Sequence, residues 1–478
     1  MSSLPFTYVI GLEVHVELST ETKMFCRCPN QPFGGEPNAY TCPVCLGLPG
    51  TLPVPNREAV RRTILVGKAL GSEIPTLCKF DRKHYFYPDL PKGYQISQYD
   101  LPLCVGGQLD LLDEKGEVSS TVEFERVHLE EDAGKLMHTG KAGYSKVDLN
   151  RAGVPLMEMV TKPVITSPEQ ARAFMQELRL LVRTLGISEA DMEKGHMRCD
   201  VNISIKFEHE GKEIWTPITE VKNVNSTRAV ERSLVVEGQR LFDEWMAGGP
   251  VRERKGKITA GWDEDTNSVR INRAKEAAKD YRYFPEPDIP PLAVFEQDDL
   301  NPDNMTVPEL PNELRRQYLK EGIVAADVEL FLNDPAKLAK LRDYQERGLP
   351  VKQTANWLIN IPQSEGLSPE QFTELMELVG NGDISFSKLK EHMEALISRL
   401  GSETLDRAIA ELGLVQQHDE SVVKEAIAAV FEEQAKAVAD YKAGNEKILG
   451  FIVGQVMKKA AGKAQPQKVQ QLVQDALA

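Results

Sequence analysis

The fold of the N-terminal part of this chain is decided by the stretch Val9-Ile-Gly-Leu-Glu-Val-His-Val-Glu-Leu18. Every second residue from Ile10 to Leu18 is apolar. Because side chains alternate between the two faces of a β-strand, this pattern predicts a strand with one buried face. Acids on the outer face are common in half-buried strands, so the pattern alone leaves open whether the polar face is functional. That face would present Gly11, Glu13, His15 and Glu17.

The same alternation of apolar and polar residues recurs farther along the chain. If these polar faces converge, they would form a concave surface whose oxygen atoms suit Mg²⁺, and the ion would in turn hold nucleotide phosphates. The strands could also face different directions, a choice that the sequence leaves open. The polar residues of the later segments are His128 and Glu130, Asp148 and Asn150, and Asp200 and Asn202.

The chain is long enough for several domains. Its 478 residues exceed what one hydrophobic core usually organises, which predicts about two to four domains. Strand and loop patterns fill the first part, interrupted by a helix that starts at Ser167-Pro168 and stops at Gly186. A Pro-rich passage from Phe284 marks a boundary, and helical spacing follows, as in 368–379. We predict an α+β domain over 1–292, an all-α domain over 293–405 and a small all-α tail over 406–478.

Composition and charge exclude several classes of protein. Hydrophobic residues make up 41% and charged residues 27%, the ordinary range for a globular protein. No apolar run approaches the roughly 18 residues that span a bilayer, and the segment from Met1 lacks the pattern of a signal peptide, which predicts a cytosolic protein. The net charge of -15 argues against coating nucleic acid by bulk electrostatics, although a local basic surface remains compatible with it.

Four cysteines have the spacing of a metal site. Cys26 and Cys28 form one pair, and Cys42 and Cys45 form a second pair after the intervening residues 29–41. Four thiolates on two short knuckles suit tetrahedral Zn²⁺, and a site closed by four cysteines would be structural. Four unliganded thiols in a loop are the alternative. The sequence therefore predicts a structural zinc knuckle.

Basic and aromatic residues interleave in the segment from Lys79 to Asp89. Such a mixture suits a nucleotide or a tRNA 3′ end, through phosphate contacts and base stacking, whereas a plain surface hairpin is the alternative. The chain has no Gly-x-x-x-x-Gly-Lys-Ser/Thr phosphate loop, so an ATP site would be of another type. The candidate nucleotide-binding residues are Lys79, Arg82, Lys83, Tyr85 and Tyr87.

The C-terminal tail departs from the acidic background of the chain. Residues 446–478 contain five Lys and two acids, Glu446 and Asp475. A basic helical tip fits contact with an RNA backbone, and a solvated helical cap is the alternative. The candidate tRNA-binding residues are Lys458, Lys459, Lys463 and Lys468.

Taken together, these segments resemble the B subunit of bacterial and organellar aspartyl/glutamyl-tRNA amidotransferases. The matching motifs occur in order through more than half of the chain, and the tail resembles the small helical domain that closes this family. The motifs are Ile10-Gly-Leu-Glu-Val-His-Val-Glu-Leu18, Lys79-Phe-Asp-Arg-Lys-x-Tyr-Phe-Tyr-Pro-Asp89, Tyr94-Gln-Ile-Ser-Gln98, His128-x-Glu-Glu-Asp-Ala-Gly-Lys135, Asp148-Leu-Asn-Arg151, Arg198-Cys-Asp-x-Asn-Ile-Ser204 and Asp280-Tyr-Arg-Tyr-Phe-Pro-Glu-Pro-Asp288.

The resemblance implies a cradle-like N-terminal α+β domain that holds ATP and Mg²⁺. Glu13 and His15 are the first candidates for its catalytic and metal-binding site. Either Glu130 or Glu131 joins them, a choice that rests only on the alternation with Val127 and Leu129. By position, the remaining candidates are Glu158, Asp200 and Glu220.

The implied reaction phosphorylates the side-chain carboxylate of Glu on tRNA(Gln) or Asp on tRNA(Asn), and ammonia then displaces the phosphate. The resemblance implies three partners: misacylated tRNA, an amidase (glutaminase) known as the A subunit, and a small C subunit. The sequence shows no glutaminase constellation, which fits a family whose ammonia comes from an amidase partner. The mischarging aminoacyl-tRNA synthetase is a further candidate partner. Two other functions stay open: a zinc-stabilised tRNA-binding scaffold, and an ATP-dependent ligase acting on a small metabolite.

Overall fold

The computed structural model describes residues 6–138, 143–252, 257–274, 281–415, 420–442, 448–459 and 466–477. The chain divides into two compact units, Met1–Leu319 and Lys320–Ala478. The first unit mixes sheet and helix and the second is helical, which confirms the predicted fold class. The three-domain division over 1–292, 293–405 and 406–478 stays a prediction.

The first unit is built on one large, mostly antiparallel sheet. Its strand order is β14-β13-β12-β10-β1-β9-β6-β4, with β11 paired to β10 and β5 paired to β6. The first strand along the chain therefore lies in the middle of the sheet. Two smaller sheets, β15-β2-β3 and β7-β8, lie outside it. The strands of this unit are β1 (Thr7–Glu17), β2 (Asp81–His84), β3 (Tyr94–Ser97), β4 (Cys104–Val105), β5 (Gln108–Leu112), β6 (Val118–Glu131), β7 (Lys135–His138), β8 (Ser145–Asp148), β9 (Pro155–Thr161), β10 (Met197–His209), β11 (Lys212–Trp215), β12 (Thr219–Val224), β13 (Ile258–Asp263), β14 (Ser268–Ala274) and β15 (Phe284–Pro285).

Helices of this unit pack against one face of the sheet. Ile10 and Val14 of β1 are fully buried in one core with Phe174 and Leu234, which lie on two different helices. A shift of one residue in the pairing of β1 would expose this apolar row and bury Glu13 instead, so burial fixes the register. The helices are α1 (Arg57–Ala69), α2 (Pro168–Thr184), α3 (Thr227–Met246) and α4 (Pro311–Lys320).

The predicted helix after Ser167 is confirmed as α2. The Ser167 side chain accepts a hydrogen bond from the Gln170 backbone N–H, and Pro168 occupies the first turn. Both features suit the start of a helix, where the first backbone N–H groups have no partner within the helix. The Ser side chain accepts a hydrogen bond from one of them, and Pro has no N–H that needs a partner. The buried stripe includes Phe174 and Leu178, as the spacing predicted.

The second unit consists of helices in the described residues, apart from an isolated bridge between Ile384 and Val415. The predicted helix at 368–379 is confirmed as α8, which starts with a capping box between Ser368 and Gln371. Near the C-terminus, Val430, Ile452 and Val473 belong to one small hydrophobic core. The helices are α5 (Ala325–Asn333), α6 (Pro335–Glu346), α7 (Val351–Asn360), α8 (Pro369–Gly380), α9 (Phe386–Leu400), α10 (Leu405–Glu411), α11 (Glu420–Glu433), α12 (Ala435–Lys442), α13 (Leu449–Lys459) and α14 (Pro466–Leu477).

Among the residues that the structure describes, no helix combines the length and the apolar character that a membrane span requires.

Candidate active site and metal centres

Strand register brings the predicted polar residues into one row across the sheet. His15 of β1 lies opposite Glu158 of β9 on one side and opposite Arg198 of β10 on the other. Glu158 in turn lies opposite His128 of β6. Directly opposed residues in neighbouring strands point to the same face, so this row lies on the face away from α2 and α3.

The first polar group consists of His15, Glu130 and Glu158, whose ligand atoms lie within 4.8 Å of one another. Glu158 Oε2 is 3.4 Å from His15 Nε2 and 3.3 Å from His128 Nε2. Glu130 accepts a hydrogen bond from Ser97 Oγ at 2.9 Å, which orients its carboxylate. The group could hold a divalent cation through one imidazole nitrogen and two carboxylates.

Charge interactions dominate the first group. Burial alone would lower the pKa of His15, but Glu158, Glu130 and Asp200 raise that pKa to about 9. Burial would raise the pKa of Glu158, but His128 and His15 hold it well below its ordinary value. The carboxylate therefore stays ionised between two imidazoles, as a metal ligand must.

The second polar group consists of Glu13, Asp200 and Glu220, again with ligand atoms within 4.8 Å of one another. Glu13 and Asp200 are opposite each other in the β1–β10 pair, and Glu220 comes from β12. Three carboxylates without an imidazole are the ligand set that Mg²⁺ prefers. Asn202 supplies a further oxygen, because its buried Oδ1 has no hydrogen-bond partner among the described residues while its Nδ2 donates to Glu13 Oε1.

Two lysines neutralise the second group. Lys222 Nζ forms an ion pair with Asp200 and lies 3.4 Å from Glu220 Oε1. Lys257 Nζ lies 3.1 Å from Glu220 Oε1 and 3.9 Å from Glu13 Oε1. Burial would raise the pKa of Glu220, but both lysines hold it below its ordinary value.

The structure separates the two neighbouring candidates on β6. Glu130 joins the first group, whereas the Glu131 carboxylate pairs with Lys92 and accepts the Ile96 backbone N–H at 2.9 Å. Adjacent residues of a strand point to opposite faces, which explains the separation. The geometry favours Glu130, and the role of either residue stays a prediction.

One segment with the same alternation does not join the sheet. Asp148 ends β8, which pairs with β7 in a separate two-stranded ribbon. The Asp148 carboxylate accepts the Asn38 backbone N–H at 3.0 Å, and the Asn150 side chain accepts the Tyr40 N–H at 2.8 Å. These side chains therefore hold the loop between the two cysteine pairs.

The basic and aromatic segment divides in two. Lys83 and Tyr85 interact electrostatically with the first group. Burial alone would lower the pKa of Lys83, but Glu130 raises it. Burial raises the pKa of Tyr85, and Glu130 contributes to the rise. Lys79 instead pairs with Asp81 and Asp100, Arg82 pairs with Glu286 and Asp288, and Tyr87 is exposed. Nucleotide binding by these five residues stays a prediction.

Several residues that contact the two groups are not among the candidates from the sequence. His128 was visible in the alternating pattern of β6, so its signal was present. Lys222 and Lys257 gave no signal, because they reach the carboxylates only through the pairing of β12 with β10 and β13. Burial raises the pKa of Tyr283 to about 12, and the charge of Glu130 in the first group contributes to the rise. Asp280, which precedes it in the motif, lies outside the described residues.

The four cysteines of the knuckle come together as predicted, and they could hold a metal ion such as zinc. Cys42 Sγ is 3.8 Å from Cys45 Sγ, which is the spacing of about 3.8 Å that a tetrahedral ion with bonds of about 2.3 Å gives to its sulfurs. A hydrogen bond from Cys26 and the charge of Lys23 help to lower the pKa of Cys45 to about 5. The four donors are thus spaced for a tetrathiolate site, with Cys45 as the thiol that ionises most readily.

Lys23 is a buried lysine beneath this knuckle, with no exposed surface. Its ammonium group donates to the carbonyls of Tyr40 and Ala152 at 2.7 Å each, and to that of Leu149 at 3.3 Å. Burying an ammonium is costly unless its hydrogen bonds are made, and here all three donors have an acceptor. Lys23 therefore joins the knuckle to the loop that precedes β9.

The candidate tRNA-binding lysines are only partly described. Lys458 is exposed at the end of α13, and Lys459 pairs with Glu433. Lys463 and the side chain of Lys468 lie outside the described residues. The basic tail surface stays a prediction, with Lys458 as its exposed representative.

Two segments of the chain match models of known protein families. Residues 8–298 match the family model of the GatB/GatE catalytic domain, and residues 345–477 match that of the GatB domain. The chain therefore belongs to the GatB/GatE family.

Individual relatives are named as the B subunit of an aspartyl/glutamyl-tRNA(Asn/Gln) amidotransferase. The relative from Thermomicrobium roseum is 44% identical over 493 residues and 99% of each chain is covered. Those from Carboxydothermus hydrogenoformans and Thermotoga maritima are each 42% identical with 98% of each chain covered. The predicted family is confirmed, and the chain is one subunit of an amidotransferase, an enzyme of the ligase class.

Proposed function

We propose that this chain uses ATP and Mg²⁺ to phosphorylate the acidic side chain of an aminoacyl-tRNA, so that ammonia can convert it to an amide. The observation that supports this most is the presence of two cation-competent groups on one face of the sheet. They are His15, Glu130 and Glu158, and Glu13, Asp200 and Glu220. Phosphoryl transfer depends on charge neutralisation and positioning more than on a protein nucleophile.

The residues around the two groups fit these requirements. Magnesium held by the carboxylates would neutralise the phosphate oxygens during transfer. Lys83 places a further cation at the first group, where it can stabilise charge that develops on the phosphoryl group. His128 contacts Glu158 and keeps it ionised and oriented. The chain itself need supply no nucleophile, because the substrate carboxylate attacks the γ-phosphorus.

The substrates are proposed from the names of the relatives, which specify aspartyl/glutamyl-tRNA(Asn/Gln). The side-chain carboxylate of Glu or Asp on the tRNA forms a bond to the γ-phosphorus and ADP leaves. Ammonia then bonds to the acyl carbon, loses a proton and releases inorganic phosphate.

We propose that the A subunit supplies the ammonia from glutamine, that the small C subunit stabilises the complex, and that the mischarging synthetase is a further partner. The cytosolic location stays a prediction.

The proposed reaction is tested with the complex of this chain and its partners. With glutamine, ATP and either Glu-tRNA(Gln) or Asp-tRNA(Asn), we expect one ADP for each Gln or Asn recovered from the tRNA. Glu13→Ala or His15→Ala should abolish amidation and leave tRNA binding within about twofold, because each residue contributes to a metal group and not to the RNA surface. Glu123→Ala, which removes an exposed acid paired with Lys162, is the matched control.

Three outcomes of that experiment would contradict the proposal. Equal losses of binding and amidation would favour a zinc-stabilised tRNA-binding scaffold. ATP turnover on a small metabolite without tRNA would favour a different ligase. Amide formation without ADP would exclude the acyl phosphate.

We also propose that the exposed end of α13 contacts the tRNA backbone. Lys458→Ala is expected to weaken tRNA binding and to reduce the slope of log affinity against log salt by about one, because each phosphate contact releases roughly one counterion. Lys340→Ala is the control, since Lys340 already pairs with Glu365 in the helical unit. Affinities measured across a salt series would refute this role if the two variants gave the same slope.

A further inference from the structure

The second polar group differs from the first in the cations that neutralise it. In the first group, imidazoles lie beside the carboxylates. In the second group, Lys222 and Lys257 together contact all three carboxylates. The two ammonium groups leave one formal negative charge among three acids, so a divalent cation meets a group that is already largely neutralised.

The two kinds of counter-ion respond differently to a metal. An imidazole that loses its proton becomes a ligand and can stay in place. An ammonium has three donors and no acceptor, so it cannot coordinate a metal and must move away when a cation takes its carboxylates. Lys222 and Lys257 have room to do so, because their side chains are 38% and 43% exposed.

We propose that Lys222 and Lys257 are built-in competitors of the divalent cation at Glu13, Asp200 and Glu220. This group then binds the cation tightly only when the two ammonium groups leave the carboxylates and pair with nucleotide phosphates. The inference rests on the proposed function, since it assumes that metal and nucleotide share this face. The inference implies that the second group binds a complex of a divalent cation with a nucleotide, and not the free ion.

If the lysines compete with the metal, replacing them should raise the affinity for the metal ion and lower the affinity for the nucleotide. In the zinc-loaded complex without nucleotide, Lys222→Met or Lys257→Met should bind Mn²⁺ about tenfold more tightly than the unaltered protein. A half-exposed charge near the ion contributes about 1.4 kcal/mol, which is tenfold in affinity. The same variants should bind a non-hydrolysable ATP analogue about tenfold more weakly in the presence of Mn²⁺. A lysine that only stabilised the fold would not tighten metal binding.

Control variants separate the effect of the lysine charge from an effect on the structure of the sheet. Lys222→Arg and Lys257→Arg keep the charge and should keep the ordinary Mn²⁺ affinity. Lys206→Met removes a comparably exposed lysine of the same sheet, paired with Glu213 at 3.5 Å and absent from the second group, and should leave both affinities unchanged. The thermal midpoint of each variant checks that the sheet still folds.

The experiment counts free Mn²⁺ by electron paramagnetic resonance during a titration. With the non-hydrolysable ATP analogue present, Asp200→Asn and Glu220→Gln should each remove one bound ion. If they do, but the Lys→Met variants bind Mn²⁺ no more tightly than the unaltered protein, this inference is wrong and the proposed function stands. If neither acid variant changes the number of bound ions or the rate of amidation, the second group is not a metal site, and both the inference and that part of the proposed function fail.

Discussion

Replacing Glu158 by Gln is expected to lower kcat for ATP-dependent amidation by about a thousandfold, at the upper end of the loss seen when one preorganised electrostatic group is removed. Glu158 lies between His15 and His128, within 3.4 Å of both imidazoles, and is buried. Gln keeps the size of the side chain but removes the negative charge. The first group then loses the carboxylate that both orients the imidazoles and balances their charge.

The matched comparison is Glu123→Gln on β6, an exposed acid paired with Lys162 in the same sheet. Single-turnover rates of amide formation with the reconstituted complex would measure the effect, alongside tRNA affinity and thermal midpoint. A Glu158→Gln complex that folds, binds tRNA and amidates at the ordinary rate would remove the first group from the mechanism.

Lys23→Met is expected to lower the free energy of unfolding by about 3–5 kcal/mol, more than any other variant proposed for this protein. Met preserves much of the aliphatic stem, so the loss comes from three carbonyls that no longer receive a hydrogen bond, each costing about 1–3 kcal/mol when buried. Those carbonyls belong to Tyr40, Leu149 and Ala152. The variant also removes the positive charge beside Cys45, so we expect weaker retention of the proposed structural zinc.

Lys68→Met is the control for this variant. Lys68 also donates to backbone carbonyls, those of Pro302 and Met305, but it is only partly buried and distant in sequence from the knuckle. Its replacement should cost about 2 kcal/mol, the net value of two ordinary hydrogen bonds, and leave the zinc content unchanged. Denaturant titration and metal analysis measure both quantities. Equal losses for the two lysines would show that Lys23 has no special relation to the knuckle.

Much of the local structure could be predicted from the sequence because short-range patterns determine it. The alternation around Val14 requires a strand, and Ser167-Pro168 starts α2 through a cap that involves only neighbouring residues. The spacing of Cys26, Cys28, Cys42 and Cys45 likewise brings four thiols within reach of one ion. In each case the interacting groups are a few residues apart, or are joined by one short loop.

The arrangement of the candidate site could not be read in the same way. The sequence placed Glu13 and His15 on one face, but only the pairing of β1 with β9 and β10 assigns them to different polar groups. The same alternation occurs at Asp148, which belongs to a separate ribbon. A repeating pattern determines which way a side chain points from its own strand, but not which strand lies beside it.

By itself, the sequence determined the strand around Val14, the helices that start at Ser167 and Ser368, the cysteine knuckle and the family. The tertiary structure alone decided that Glu130 and not Glu131 faces His15, that Lys222 and Lys257 neutralise the second group, and that Lys23 supports the knuckle. The physical reason is the range of the interactions. Strand and helix signals come from neighbouring residues, whereas these contacts join residues that only the pairing and packing of distant segments bring within a few ångströms.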